Sequence, residues 1–159
     1  MLKMWNGVSM SIVIRKSRIH SHGCYTTAPI REGALVIEYV GERMTPDQAD
    51  DLYDDHPQTY LFGLDGGKHV LDGYGVAAFI NHSCDPNCET DEIQSRVWII
   101  AARDIEAGEE LTYDYNLYDG DFDAPCTCGA RNCRGTMYDP DARKKTSAET
   151  RKSQHRRTG

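Results

Sequence analysis

The stretch Asn81-His82-Ser83-Cys84-Asp85-Pro86-Asn87-Cys88 constrains this chain more than any other. It sets amide, imidazole, hydroxyl and thiol groups side by side, between the apolar residues 76–80 and an acidic loop. Polar groups packed this densely beside a buried run need partners, or stability suffers. A ligand or a metal ion would supply them. A polar turn, with His82 as an ordinary hydrogen-bonded core histidine, would also do so. Two other segments bear on the choice: a cysteine run at 126–133, and Glu110-Leu111-Thr112-Tyr113-Asp114-Tyr115.

Of the six cysteines, Cys126, Cys128 and Cys133 form Cys-x-Cys-x4-Cys, Cys84 and Cys88 lie in the central stretch, and Cys24 stands alone. Residues 1–11 lack the apolar core of a secretory signal, and no run of about 18 apolar residues could span a membrane. The expectation is therefore a cytoplasmic chain, with nucleoid association or secretion into a host by another route still compatible. In a reducing compartment, clustered cysteines read as metal ligands before disulfides. Three thiolates leave tetrahedral zinc one ligand short, and Cys84 is the obvious fourth donor. Turn-forming Cys128-Gly129 and Arg131-Asn132 suit a loop wrapped around a metal. Buried, reduced thiols are the alternative.

At 159 residues the chain has length for one domain and one modest core. Its net charge of −7 conceals an asymmetry. Residues 1–139 hold 11 Lys/Arg against 23 Asp/Glu, a balance of −12, whereas residues 140–159 hold 7 against 2, a balance of +5. An acidic body favours Lys/Arg-rich partners over nucleic acid.

Most of the chain reads as short strands, at residues 11–15, 24–27, 34–40, 96–102 and 111–115. Residues 34–40 are apolar on both faces apart from Glu38, the pattern of a buried strand. Residues 19–23 read as a small-residue loop. Asp65-Gly66-Gly67-Lys68, flanked by residues 59–64 and 69–72, predicts a hairpin. One helix is signalled: Thr45 as N-cap, Pro46 at the first helical position, Gln48 completing a capping box, and an end near Asp55 ahead of Pro57. Residues 140–159 have no apolar period and read as a basic disordered tail.

Ser17-Arg18-Ile19-His20-Ser21-His22-Gly23, Ile37 to Glu42, Phe79 to Cys88, Gly108 to Tyr115 and the terminal cysteines occur in one order. In that order they resemble the SET-domain protein-lysine methyltransferases. With no cysteine-rich segment before them, they look most like compact stand-alone members found in bacteria. The resemblance implies a mainly β fold of small curved sheets with few short helices, a C-terminal pseudoknot and a post-SET zinc segment. It divides the chain into an N-terminal extension (1–10), a SET domain (11–118), the post-SET segment (119–139) and the tail (140–159).

The same resemblance implies S-adenosylmethionine as methyl donor, leaving S-adenosylhomocysteine, with a lysine of a basic, histone or histone-like protein as acceptor. His20, Ser21, His22 and Gly23 match the loop whose backbone lies along the donor. Asn81 and His82 match the pair holding its two ends. Tyr60 matches a tyrosine shared by donor site and lysine channel, Tyr115 the catalytic tyrosine, and Tyr113 the position that limits how many methyl groups fit. Cys84, Cys126, Cys128 and Cys133 match the ligands of a structural zinc. Ser21 and His22 depart from the usual Gly and Arg or Trp, and Ala78 replaces a frequent Arg.

Two other classes fit parts of the chain: a catalytically silent SET-like domain that binds basic peptides, and a zinc-stapled nucleic-acid module working through the tail. The tail, with Arg143-Lys144-Lys145-Thr146-Ser147, superficially resembles lysine-bearing histone H3 segments and is a candidate self-substrate. A homodimer through an edge strand is a further expectation.

Overall fold

The structure, a computed structural model, describes residues 12–53, 61–117 and 123–141. Tyr60, residues 1–11 and residues 142–159 of the basic tail lie outside the described residues. Among the described residues, no helix is long and apolar enough to cross a membrane.

Three small sheets carry the fold. The first runs in the order β1 (Ile12–Lys16), β2 (His22–Thr26), β10 (Glu110–Tyr113), β7 (Asn81–His82). The second runs β3 (Leu35–Tyr39), β9 (Arg96–Ala101), β8 (Cys88–Ile93), and the third β4 (Gly41–Met44), β6 (His69–Gly73), β5 (Leu61–Leu64). Side chains from all three meet in one core that includes Cys24, Tyr39, Leu64, Ile80, Ile99, Ile105 and Leu111.

The expected hairpin and helix are present. β5 and β6 pair antiparallel around Asp65-Gly66-Gly67, where Gly66 and Gly67 take φ of 67° and 87°. A side chain there would meet the left-handed penalty, so glycine suits the turn. The helix, α1, spans Pro46–Tyr53. Its capping box is complete: the Thr45 N–H donates to Gln48 Oε1 at 2.9 Å, and the Gln48 N–H to Thr45 Oγ1 at 3.2 Å.

Three expectations need correction. The acidic loop after Cys88 is strand β8, paired with β9 along its whole length. Glu89, Asp91 and Glu92 project to solvent, so the element carries no apolar run for a sequence reading to catch. Residues 34–40 are not buried on both faces, because β3 lies at the edge of its antiparallel sheet and leaves Leu35 40% exposed. The loop at residues 19–23 is also shorter than expected, since β2 begins at His22.

What positions the site is the seating of β10. It runs antiparallel to β2 and parallel to β7, so this late strand fills a slot between two earlier ones, as the expected pseudoknot requires. Buried Asn87 pins it: Nδ2 donates to the Glu110 carbonyl at 2.8 Å, and Oδ1 accepts the Thr112 N–H at 2.9 Å. Asn87→Ala strands both backbone groups, at about 1–3 kcal/mol each. The expected loss is roughly 2–6 kcal/mol in denaturant unfolding; a change under about 0.5 kcal/mol would show that solvent replaces the amide.

Candidate active site and metal centre

A cavity of about 330 Å³ opens where three segments converge. One wall is Ile19, His20, Ser21 and His22; a second is Ala78, Phe79, Asn81 and His82, with Tyr115; the third is Pro125, Cys126, Thr127 and Met137. Ser21 holds φ of 37°, a left-handed backbone that costs a non-glycine residue about 1–2 kcal/mol. Its hydroxyl lies 3.0 Å from His22 Nδ1. That φ accounts for the usual glycine here.

Asn81 is fixed by its nitrogen. Nδ2 donates to the His22 carbonyl (2.9 Å), to Glu110 Oε1 (2.9 Å) and, at the limit, to the His20 carbonyl (3.4 Å). Three oxygens on one side leave no choice of amide orientation, because the flipped amide would set oxygen against oxygen. Oδ1 then has no donor among the described residues. A hydroxyl or ammonium in the cavity would suit it.

Glu110 is the hub beneath. Its carboxylate also accepts from the Ser17 hydroxyl at 2.7 Å and the Tyr25 hydroxyl at 3.0 Å. Burial and this hydrogen bond push the Tyr25 phenol above its ordinary pKa. Gly23 is shaped by the same group: a Cβ there would collide with Glu110 Oε1 and approach Asn81 Nδ2 to 3.0 Å. Gly23 does not line the cavity. Its lack of a side chain leaves room for Glu110 and Asn81.

Tyr115 is held at both ends by the central stretch. Its hydroxyl donates to the Ile80 carbonyl at 2.7 Å, and its N–H to His82 Nδ1 at 3.0 Å. Its ring centroid lies 5.3 Å from His82 and 4.8 Å from Tyr113. Tyr113, 3% exposed, stacks in turn at 5.7 Å from Phe62 and lies behind the cavity wall. Burial lowers the pKa of His82, outweighing the pull of Asp114. The ring is therefore neutral near pH 7.

Cys84, Cys126, Cys128 and Cys133 bring four Sγ atoms within 4.8 Å of one another. Tetrahedral Zn–S bonds of about 2.3 Å need sulfurs roughly 3.8 Å apart, and Cys84 and Cys126 are 3.7 Å apart. Backbone N–H groups already point at the sulfurs: Cys84 to Cys128 (3.5 Å), Arg134 to Cys84 (3.4 Å) and Gly135 to Cys133 (3.4 Å). Burial works against ionisation of Cys128, yet such N–H···S bonds bring its thiol down to about 6. The four residues fit one zinc ion. Cys24 and Cys88 stand apart, buried and with thiols pushed up to about 12 by desolvation, which suits inert core residues.

Two of the described contacts tie the thiol segment closely to the site. The Thr127 hydroxyl donates to the Ile19 carbonyl at 2.9 Å. Arg134 grips Asp114 with both terminal nitrogens, at 2.7 and 2.9 Å, and this pair holds the Asp114 carboxyl below its usual range against the effect of burial.

The pattern of the SET domain matches residues 21–116. The chain belongs to the SET-domain family. Similar proteins include a "Histone-lysine N-methyltransferase, H3 lysine-4 specific" of Eremothecium gossypii, 40% identical over 141 residues that cover 79% of this chain and 14% of that protein. The protein of the same name in Saccharomyces cerevisiae is 39% identical over 151 residues, covering 86% of this chain and 14% of its own. "Histone-lysine N-methyltransferase SETD1B" of Homo sapiens is 38% identical over 134 residues, covering 77% and 7%. The chain thus spans only 7–14% of the length of these fungal and human relatives.

Within this SET domain, the residues singled out from the sequence mostly converge. His20, Ser21, His22, Asn81, His82 and Tyr115 share the cavity, and the four thiols lie together. Glu110, Asn87 and Asp114 lie inside motifs that the sequence shows but carried no individual role there, and Arg134 was not singled out. Phe62 escaped as well; its signal was Tyr60-Leu61-Phe62, read only for Tyr60.

Proposed function

We propose that this SET domain is an S-adenosylmethionine-dependent protein-lysine N-methyltransferase acting on a basic, histone or histone-like protein. The single observation that carries the reading is the cavity, which joins the 19–22 loop, the Asn81-His82 pair and Tyr115 under the thiol segment. The names of its relatives support the reaction class and the basic acceptor. When bound, the donor supplies a methyl group activated on a sulfonium sulfur.

The protein's own part is to position and desolvate. Asn81 Oδ1 receives an ammonium or hydroxyl of the donor, and the 19–22 backbone lines its length. The acceptor lysine must lose a proton first, which from a pKa near 10.4 costs roughly 4–5 kcal/mol at pH 7. A narrow aromatic entry beside a positive charge lowers that cost by desolvation and like-charge repulsion. The Tyr115 hydroxyl proton is committed to Ile80. Its oxygen therefore meets the amine as an acceptor and aligns the lone pair for in-line attack. Tyr115 supplies the aromatic wall, with Tyr113 and Phe62 stacked in series behind it.

Cys84, Cys126, Cys128 and Cys133 would hold a structural zinc, with no open position for chemistry. Its place is a reducing compartment, where the thiols stay available to metal. The tail is a further candidate acceptor, given its positive balance against the acidic body.

The test is incubation of the zinc-loaded chain with donor and a panel of basic proteins, followed by mass-spectrometric mapping. Donor-dependent methylation of lysine, stopping at one or two methyl groups because of the Tyr113 hydroxyl, is the expected result. No modified lysine on any protein, the tail included, would favour a silent peptide-binding domain. A second outcome concerns Glu110. Glu110→Ala releases Asn81, and hydrogen bonds to a charged group contribute about 1.5–3 kcal/mol. The donor KM should therefore rise about tenfold or more, with kcat within a few-fold. An unchanged donor KM would show that Asn81 holds its place without Glu110.

A further inference from the structure

We propose that the His82 side chain is a positioning residue that wires the metal centre to the catalytic tyrosine, and that it does not hold the donor through its ring. The inference rests on the four thiols holding zinc, as proposed above, and concerns which atoms connect that site to the cavity.

The geometry assigns both ring nitrogens. Nδ1 lies 3.0 Å from the backbone nitrogen of Tyr115. That N–H can only donate, so Nδ1 carries its lone pair and the ring proton sits on Nε2. Nε2 lies 3.4 Å from Cys84 Sγ, inside the fold. The Nε2–H therefore donates to the sulfur. Asp114 Oδ1 is the competing partner for Nδ1, at 3.5 Å. It is the more distant of the two, and both Asp114 oxygens are taken by Arg134, with Asn116 N–H as a third donor to Oδ1.

Cys84 thus receives two N–H donors, one from the His82 ring and one from the Arg134 backbone. A thiolate bound to a metal is a better acceptor than a thiol, so metal occupancy strengthens the Nε2–H···S bond and locks the tautomer. The locked tautomer keeps Nδ1 as acceptor and holds the Tyr115 backbone. Outer-shell donors of this kind typically contribute 10–100-fold in metal affinity. The connection is two hydrogen bonds long, joining three groups: sulfur, imidazole, Tyr115 N–H.

Two substitutions separate its arms. In His82→Asn the side-chain oxygen occupies the place of Nδ1, keeping an acceptor for Tyr115 and losing the donor to sulfur. In His82→Gln the amide reaches the place of Nε2, keeping the donor and losing the acceptor. With the full chain, zinc affinity by chelator competition should fall about 10–100-fold in His82→Asn and clearly less in His82→Gln. In the cobalt-substituted protein, the thiolate-to-metal charge-transfer band should move to lower energy in His82→Asn alone, because the sulfur lone pairs lose a stabilising N–H. Two-bond proton–nitrogen correlation spectra of the zinc-loaded wild type should show His82 protonated on Nε2 and bare on Nδ1, and they decide the matter even where a variant does not fold. Protonation on Nδ1, or wild-type zinc affinity and cobalt band in His82→Asn, would overturn the wire and leave the zinc site intact. A chain that binds no zinc at all would sink the metal reading and this inference with it.

Discussion

Tyr115→Phe should lower lysine methylation on the order of 10²–10³-fold, the usual effect of removing one preorganised polar group from a reacting centre. The phenol oxygen is set by its own hydrogen bond to the Ile80 carbonyl, and the backbone is set by His82. The substitution therefore removes the atom proposed to align the amine and leaves the ring in place against Tyr113 and His82. Donor affinity, read by calorimetry with S-adenosylhomocysteine, should change only a few-fold, because Asn81 and the 19–22 loop are untouched. The loss thus belongs in kcat. Mass spectrometry of the acceptor lysine under single-turnover conditions measures it. A Tyr115→Phe protein methylating at the wild-type rate would remove the phenol from the reaction.

Zinc removal should be the second large effect, and it acts by a different route. The thiol segment supplies Pro125, Cys126, Thr127 and Met137 to the cavity. Its described attachments to the SET core include the Thr127–Ile19 hydrogen bond, the Arg134–Asp114 ion pair, a hydrogen bond from Asn132 Nδ2 to the Cys84 carbonyl and one isolated strand bridge, Leu117 with Tyr138. A bound zinc would clamp this loop to Cys84 of the core, and small zinc modules unfold when stripped. Chelation should abolish donor binding, at least a hundredfold loss in affinity for S-adenosylhomocysteine, while β1 to β10 keep their far-ultraviolet signal. Restored zinc should restore binding. Undiminished donor affinity in fully stripped protein would show that the segment holds its place without metal.

The capping box Thr45/Gln48, the Gly66-Gly67 turn and the order of the motifs were legible because each is a local rule with its own chemistry. The four metal-ligating candidates were legible because thiol clustering is rarely accidental in a reducing setting. Three features were not legible, each for a physical reason. β8 hides because three of its six residues, Glu89, Asp91 and Glu92, are exposed acids, so its pairing with β9 is visible only in three dimensions. β7 is two residues long, set by the parallel register of Thr112 with Asn81 and of Tyr113 with His82, and no periodicity exists over two residues. Glu110 looks like a solvated carboxylate beside Glu109, yet it lies where Ser17, Tyr25 and Asn81 converge from three distant segments. The contacts of Gly23 with Glu110 and of His82 with Cys84 Sγ were hidden for the same reason: these partners come into view only once the chain is folded.

A crystal structure of the zinc-loaded chain with S-adenosylhomocysteine is the most direct measurement. It should place the ligand between the 19–22 backbone and the thiol segment, with a ligand donor on Asn81 Oδ1 and the sulfur facing Tyr115. Ligand bound away from Asn81, or a Tyr115 ring turned out of the cavity once the ligand is in place, would contradict the account.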